Sequence, residues 1–382
     1  MYLLPKPKTI KEQDGQMLLC HSTHIVMTKE VAETEMHAAK RLQEAIRQET
    51  GLILPFSVGE VREGDLSLGI AKTLPEQTYE ITIDEKGGQI SGGDGAGVLY
   101  GVETFCQIVQ QCGGILPCVQ IQDAPDMPNR GYYFDQTRGR VLKLEELKKI
   151  ADRMCRYKLN QLQLYVEHTY LFRDFSEMWR DQTPLTAEEI RELDSYCRER
   201  HIELVPSLAS FGHLCTLLST KTYGDLCEME DSWKEPFSFW NRMRYHTINV
   251  SDERSLPLIK KMIAEYMQLF SSNKFNICAD ETFCLGKYKS KKLAEERGVH
   301  RLYIDYVKEL AQFLVENGKI PMFWGDIIWN SPELMKELPE SMICLNWGYA
   351  PEQREDETRA IAQTGAVQYL CPGVCGWNQW AN

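Results

Sequence analysis

The sequence contains no apolar run close to the roughly 18 residues that a membrane-spanning helix needs. Its start, Met1-Tyr2-Leu3-Leu4-Pro5-Lys6-Pro7-Lys8, carries no signal-peptide h-region. No CxxC pair occurs among the 13 cysteines. Cys371 and Cys375 have no cysteine or histidine cluster nearby to complete a zinc site. An odd count without paired spacing reads as buried free thiols in a reducing compartment, so a cytoplasmic location is expected. Positive charge is also short: 43 Lys and Arg against 55 Asp and Glu leave a formal charge of −12. That balance argues against nucleic acid and anionic membrane surfaces as partners. Plain solubility accounts for it as well.

What is present is ordinary globular material, 43% hydrophobic over 382 residues, enough for two domains or one large one. Residues 1–122 read as a small α+β domain. Strand-like segments at 53–58, 66–70, 79–83 and 119–121 alternate with helical periodicity over 31–49 and 97–111. Lys86-Gly87-Gly88 after Asp84-Glu85 is a hairpin signal. The breaker-rich segment 123–129, Asp-Ala-Pro-Asp-Met-Pro-Asn, reads as a linker.

From 130 to 382 the pattern becomes strand–helix alternation. Strands are expected at 132–134, 162–166, 202–206, 275–279, 321–324, 342–346 and 367–370, with a long insertion over 214–251. Repeated βα units imply a parallel sheet covered by helices, and seven in series favour a (β/α)₈ TIM barrel. The last strand and helix of such a barrel are expected to be missing, because the sequence stops at Asn382. Either the sequence is then a fragment, or the N-terminal domain or a partner covers the open edge. The insertion is a candidate gate or interface, and a homodimer is one expected assembly.

In such a barrel, chemistry sits at the C-terminal strand ends. Those ends offer Asp135 and Arg138, Glu167 and His168, His213, Asp280 and Glu281, Trp324 and Asp326, Asn346 and Trp347, and Tyr369, with Trp377 beyond. Taken singly, each has a structural alternative: barrel packing for the tryptophans, pairing with Asp135 for Arg138, helix initiation for Asp280-Glu281. Together they read as a sugar site, where aromatic faces meet pyranose C–H faces and charged groups bond hydroxyls. Ordinary retaining glycosidases place two carboxylates about 5–5.5 Å apart across the scissile bond. Adjacent residues cannot readily do that. The attacking group is then expected to come from the substrate, as a 2-acetamido carbonyl would, with one carboxylate ionised and the other protonated.

These residues resemble glycoside hydrolase family 20, the β-N-acetylhexosaminidases. Gly92-Gly93-Asp94 through Phe105-Cys106-Gln107 is similar to the end of the family's N-terminal domain. Asn129-Arg130-Gly131 through Asp135-Gln136-Thr137-Arg138 resembles the start of its barrel, and Phe275 to Glu281 its catalytic strand. Ser210-Phe211-Gly212-His213 and Cys278-Ala279-Asp280-Glu281 lean towards the hexosaminidase D-like branch.

The resemblance implies an exo-acting enzyme on terminal β-linked N-acetylglucosamine or N-acetylgalactosamine, as oligosaccharide or glycoconjugate, with retention and with no metal or other cofactor. It implies Asp280 as the acetamido-orienting carboxylate and Glu281 as general acid/base. Arg138 would hold hydroxyls, and Glu167 and His213 would form a supporting pair. Trp324 and Trp347 would wall the acetamido pocket, with Tyr369 on its carbonyl oxygen and Trp377 as a sugar platform. Asp326 joins the substrate-binding set as a strand-end carboxylate. Cys278 and Ala279 stand where the family pattern has glycines, and Ala209 and Cys371 where it commonly has carboxylates. A catalytically silent sugar-binding barrel and a barrel glycosidase of another specificity remain alternatives.

Overall fold

Alternating and continuous apolar runs sort into two seven-stranded sheets in the computed structural model, which describes residues 1–236, 238–350, 352 and 354–373. The chain divides into two compact units. One is Met1–Tyr132 with Glu145–Leu162 and Ser195–Glu203; the other is Tyr133–Leu144, Gln163–Asp194 and the chain from Leu204 onward.

The first sheet contains β1 (Thr9–Leu18), β2 (Ile25–Met27), β3 (Phe56–Val58), β4 (Leu66–Ile70), β5 (Tyr79–Asp84), β6 (Gly87–Gly92) and β7 (Ile115–Asp123). Their order is β1-β7-β5-β6-β4-β2-β3. β5 buries Tyr79, Ile81 and Ile83 in strict alternation, and the expected hairpin closes with Asp84 opposite Gly87. Asp84 caps that turn by accepting the Lys86 N–H at 2.8 Å. The helix Gly95–Cys112 is buried continuously from Ala96 to Val109, as an all-round apolar helix must be. Its buried Glu103 is ion-paired to Arg41 and accepts from the Cys155 thiol. The helical stretch expected over 31–49 breaks at Glu35 into Lys29–Thr34 and Met36–Thr50, and Gly51 in the left-handed region ends the second.

The second sheet contains β8 (Gly131–Asp135), β9 (Gln161–Val166), β10 (Glu203–Leu208), β11 (Lys274–Asn276), β12 (Ile320–Trp324), β13 (Ile343–Gly348) and β14 (Val367–Pro372). Spatial order equals chain order, and the ladders from β10 through β14 are parallel. A doubly wound sheet reverses its order at a switch point; this one never does. The sheet is the curled wall of a (β/α) barrel, with seven strands among the described residues. β9 is buried at every position, as expected of a strand covered on both faces.

The insertion after β10 is a loop whose ends meet. Ile248 N–H donates to the Phe211 carbonyl at 3.0 Å and Leu214 N–H to that of His246 at 3.1 Å. It carries a short helix, Phe239–Arg244, capped by Ser238.

Candidate functional site

The site starts from an awkward piece of backbone. β11 stops at Asn276, whose side-chain oxygen accepts the Cys278 N–H at 2.8 Å while its amide donates to Gln163 at 3.1 Å. Beyond it Cys278, Ala279 and Glu281 have φ of 58°, 64° and 48°. Left-handed backbone costs a residue with a Cβ about 1–2 kcal/mol, which gives a physical reason for glycines at 278 and 279 in the family pattern. The turn is held from several sides. Trp324 N–H donates to the Cys278 carbonyl at 2.9 Å, Tyr303 O–H to that of Ala279 at 3.0 Å, and Glu281 N–H to the Asp326 carboxyl at 3.0 Å. Strain of this kind persists only where surroundings over-determine it. Here it turns two adjacent carboxylates into one space.

His213 joins them from the loop after β10. A side chain at Gly212 would run into the Asp280 carbonyl oxygen, so glycine there permits the close approach of the two loops. His213 Nε2 lies 3.2 Å from a carboxylate oxygen of Asp280 and 3.2 Å from one of Glu281. Both are ion-pair contacts outside hydrogen-bond geometry. Burial disfavours the imidazolium, but Asp280 outweighs it, with Glu281 helping, and the His213 pKa rises from 6.5 to about 10. Reciprocally, burial opposes the Asp280 charge and His213 overcomes that, holding the carboxyl below its ordinary value. His213, Asp280 and Glu281 form the one group of three potential metal-ligand residues among the described residues, with ligand atoms within 4.8 Å of one another.

Glu167, at the end of β9, is arranged differently. Its carboxylate meets Arg242 Nη2 at 2.9 Å, Tyr165 O–H at 2.9 Å and Arg138 Nε at 3.8 Å. Burial would raise its pKa, yet the two guanidinium groups keep it below the ordinary value. Among the described residues, the ion pairs of His213 run to Asp280 and Glu281 and not to Glu167. The supporting pair implied by the resemblance is therefore not formed as a direct contact. Arg138 is tied to Asp135 at 2.7 Å, lies 4.6 Å from the Tyr165 ring centroid, and has Met243 Sδ 3.3 Å from Nη1.

Trp324 is buried, edge-on to Tyr133 with ring centroids 4.9 Å apart. Trp347 lies over Trp329 at 5.7 Å and Tyr349 at 5.2 Å. Tyr369 is half-buried on β14, in register with Leu345. Trp377 lies outside the described residues. Asp326 holds the Glu281 backbone through one oxygen, while its other oxygen has no hydrogen-bond partner among the described residues. Burial, then Asp280, pushes its carboxyl up to about 8. It also lines a cavity of about 400 Å³ with Trp329, Asn330, Arg354, Asp356 and Glu357.

Sequence reasoning missed Arg242 and Tyr165. Tyr165 was findable, because Gln163, Tyr165 and Glu167 share one strand face at period two. Arg242 had no signal, since it stands in an insertion without regular pattern.

The fold and the site together define a β/α-barrel protein with an acidic pair at the end of its fourth barrel strand. Two family models cover it: "Glycosyl hydrolase family 20, domain 2" over residues 1–124 and "Glycosyl hydrolase family 20, catalytic domain" over 128–374. The chain belongs to glycosyl hydrolase family 20. It is 24% identical over 411 residues to a beta-hexosaminidase of Porphyromonas gingivalis, covering 98% of this chain and 50% of that protein. It is 26% identical over 310 residues to one of Vibrio furnissii, covering 73% and 48%. The chain thus spans about half the length of the curated relatives it matches. Among solved structures, the Vibrio harveyi GH20 exo beta-N-acetylglucosaminidase bound to N-acetylglucosamine superposes with TM-score 0.80 at 19% identity, over 97% of this chain and 60% of that one. A mutant Streptomyces plicatus beta-hexosaminidase in complex with its product gives 0.80 and 19%, over 97% and 74%. At such identity these two superpositions speak for the fold.

Proposed function

We propose that this chain is an exo-acting β-N-acetylhexosaminidase that removes terminal β-linked N-acetylglucosamine or N-acetylgalactosamine with retention, using the substrate's acetamido group as nucleophile. The observation that carries this reading is the adjacency of Asp280 and Glu281 around one histidine nitrogen. Two carboxylates so placed address one side of a sugar, whereas a protein nucleophile and an acid must flank it.

In this mechanism the acetamido carbonyl oxygen bonds to the anomeric carbon as the glycosidic C–O bond breaks. Glu281 delivers a proton to the departing oxygen. Asp280, kept ionised by His213, orients the acetamido N–H and stabilises the positive oxazolinium. Water then attacks the anomeric carbon, gives its proton to Glu281, and reopens the ring. Arg138 and Trp324 belong to the sugar pocket in this reading, with Trp347 and Tyr369 on its acetamido side. Glu167 fixes Arg138, and Asp326 fixes the Glu281 backbone. No disulfide joins the described cysteines, which supports a reducing, cytoplasmic setting.

The test is a panel of aryl glycosides. Aryl N-acetylglucosaminide should be hydrolysed, the matching 2-hydroxy glucoside left intact, and Glu281→Gln should lose about 10²–10⁴-fold in rate. Comparable turnover of both sugars would sink the acetamido mechanism. Sugar binding without turnover would mark a silent barrel.

A further inference from the structure

The proposed chemistry uses His213, Asp280 and Glu281 to hold charge and move a proton, yet the same side chains carry the donors of a metal site. One ligand atom from each residue lies within 4.8 Å of the other two. The imidazole Nε2 is 3.2 Å from a carboxylate oxygen of Asp280 and 3.2 Å from one of Glu281. Around a tetrahedral zinc ion with bonds of about 2.0–2.1 Å, neighbouring ligand atoms sit about 3.3–3.4 Å apart. The imidazole and the carboxylates are therefore already spaced as ligands of one ion. The widest separation in the set closes by rotation of Glu281, whose side chain is 27% exposed.

A second observation sets this group apart from an ordinary acidic cluster. His213 is only 3% exposed, and neither of its ring nitrogens has a hydrogen-bond partner among the described residues. The Oδ1 atom of Asp280 is likewise buried without one. A proton on Nε2 has a fixed direction, and here it makes a proper hydrogen bond to neither carboxylate. Zinc has no directional demand of its own and can bond all three residues at once. Charge points the same way. An imidazolium leaves one of the two carboxylates unmatched, whereas a divalent ion beside neutral imidazole matches both. The next charges around His213 are Arg138, which opposes a cation, and Glu167, which favours one.

We propose that His213, Asp280 and Glu281 bind a divalent ion of the zinc type, and that the ion inhibits by taking the oxygens a sugar must meet. It is a competitor of the substrate and not a cofactor. The imidazole selects zinc, cobalt, nickel or copper over magnesium and calcium, which take oxygen ligands. Three protein ligands leave a fourth position for water. Binding exchanges one ion for one proton. The Nε2–H bond breaks, its electron pair goes to the metal, and the proton leaves to solvent. The inhibition rests on the hexosaminidase reading; the binding does not.

The test titrates the full chain with cobalt(II) as a coloured substitute for zinc. One equivalent should give the strong visible absorption of four- or five-coordinate cobalt, displaced by zinc and removed by EDTA. His213→Gln and Glu281→Gln should each weaken binding by about 100-fold or more, since losing only a partner that orients a ligand costs about 10–100-fold. The faint absorption of six-coordinate cobalt, or a spectrum unchanged in both variants, overturns the proposal. So does a near-ultraviolet thiolate-to-cobalt band, which would place the ion on cysteine. Calorimetry of the wild type in buffers of different ionisation heat needs no variant: about one proton should be released per ion near pH 7, and none released overturns the site. On aryl N-acetylglucosaminide, zinc should raise KM at unchanged kcat, and EDTA should reverse it. Hydrolysis that zinc leaves untouched sinks the proposal and keeps the hexosaminidase reading. Cobalt bound through these residues in a chain that hydrolyses nothing keeps the metal site and sinks that reading.

Discussion

Two carboxylate centres lie at strand ends of the same sheet and are neutralised in opposite ways. Asp280 and Glu281 share one imidazole, whereas Glu167 is held by Arg242 and Arg138, with a phenol beside it. An imidazolium can give up its proton within an accessible pH range, and a guanidinium cannot. The first centre is therefore built for proton movement and the second for fixed charge. Glu167 is buried while Asp280 and Glu281 are part-exposed, and the counter-charge adds to that difference in what each carboxylate can do.

The sharpest way to break this contrast is His213→Gln. Removing the shared cation should cost about 100-fold or more in kcat on aryl N-acetylglucosaminide, because Asp280 loses what keeps it ionised. The same variant tests stability. A histidine raised from 6.5 to about 10 contributes stability fully present below about 6.5 and lost as pH rises through about 10. Chemical denaturation across that window should show the decline in the wild type and not in the variant.

Arg242→Ala should destabilise by about 3 kcal/mol, near the low end for breaking a buried pair because Arg138 remains. Its cost should be flat between about pH 6 and 9, in contrast to that of His213, because a guanidinium keeps its charge throughout. A pH-dependent cost there would mean that Glu167 itself titrates.

Asp326→Asn is subtler. An Asp raised from 3.8 to about 8 binds its proton more tightly folded than unfolded, so its contribution falls as pH rises between those values. The variant keeps an oxygen for the Glu281 N–H and should flatten the slope of Tm against pH over that range. Smallest is Ala279→Gly, which relieves a left-handed alanine but loosens the unfolded chain; a gain of up to about 1 kcal/mol in urea denaturation is expected.

The barrel was legible because most of β8–β14 coincide with short apolar runs set apart by helical periodicity, and each expected strand overlaps an observed one, although only 3₁₀ turns separate β12 from β13. In the N-terminal domain β1 and β2 escaped notice, and β6 entered only through the hairpin signal at Lys86-Gly87-Gly88. β1 exposes most of its residues along a sheet edge and so shows no apolar alternation, and β2 is only 3 residues long. Strand β11 ends earlier than its apolar run, at Asn276, because apolarity continues through Ile277, Cys278 and Ala279 while the backbone has already turned. At the site, strand-end reasoning gathered Asp280, Glu281, His213 and Asp326 into one place. It did not bring Arg242 to Glu167, since Arg242 comes from a segment whose fold depends on long-range contacts alone.

The thiol of Cys278 adds a practical consequence. It is sealed between Tyr133 and Ser207, and burial raises its pKa well beyond that of a free thiol, so in the closed protein it is chemically silent. Alkylation of this one cysteine, followed by peptide mapping, then counts how often the end of β11 comes apart from its neighbours. A sugar analogue that tightens the turn would slow that labelling in proportion to its occupancy, giving an affinity measurement that needs no turnover.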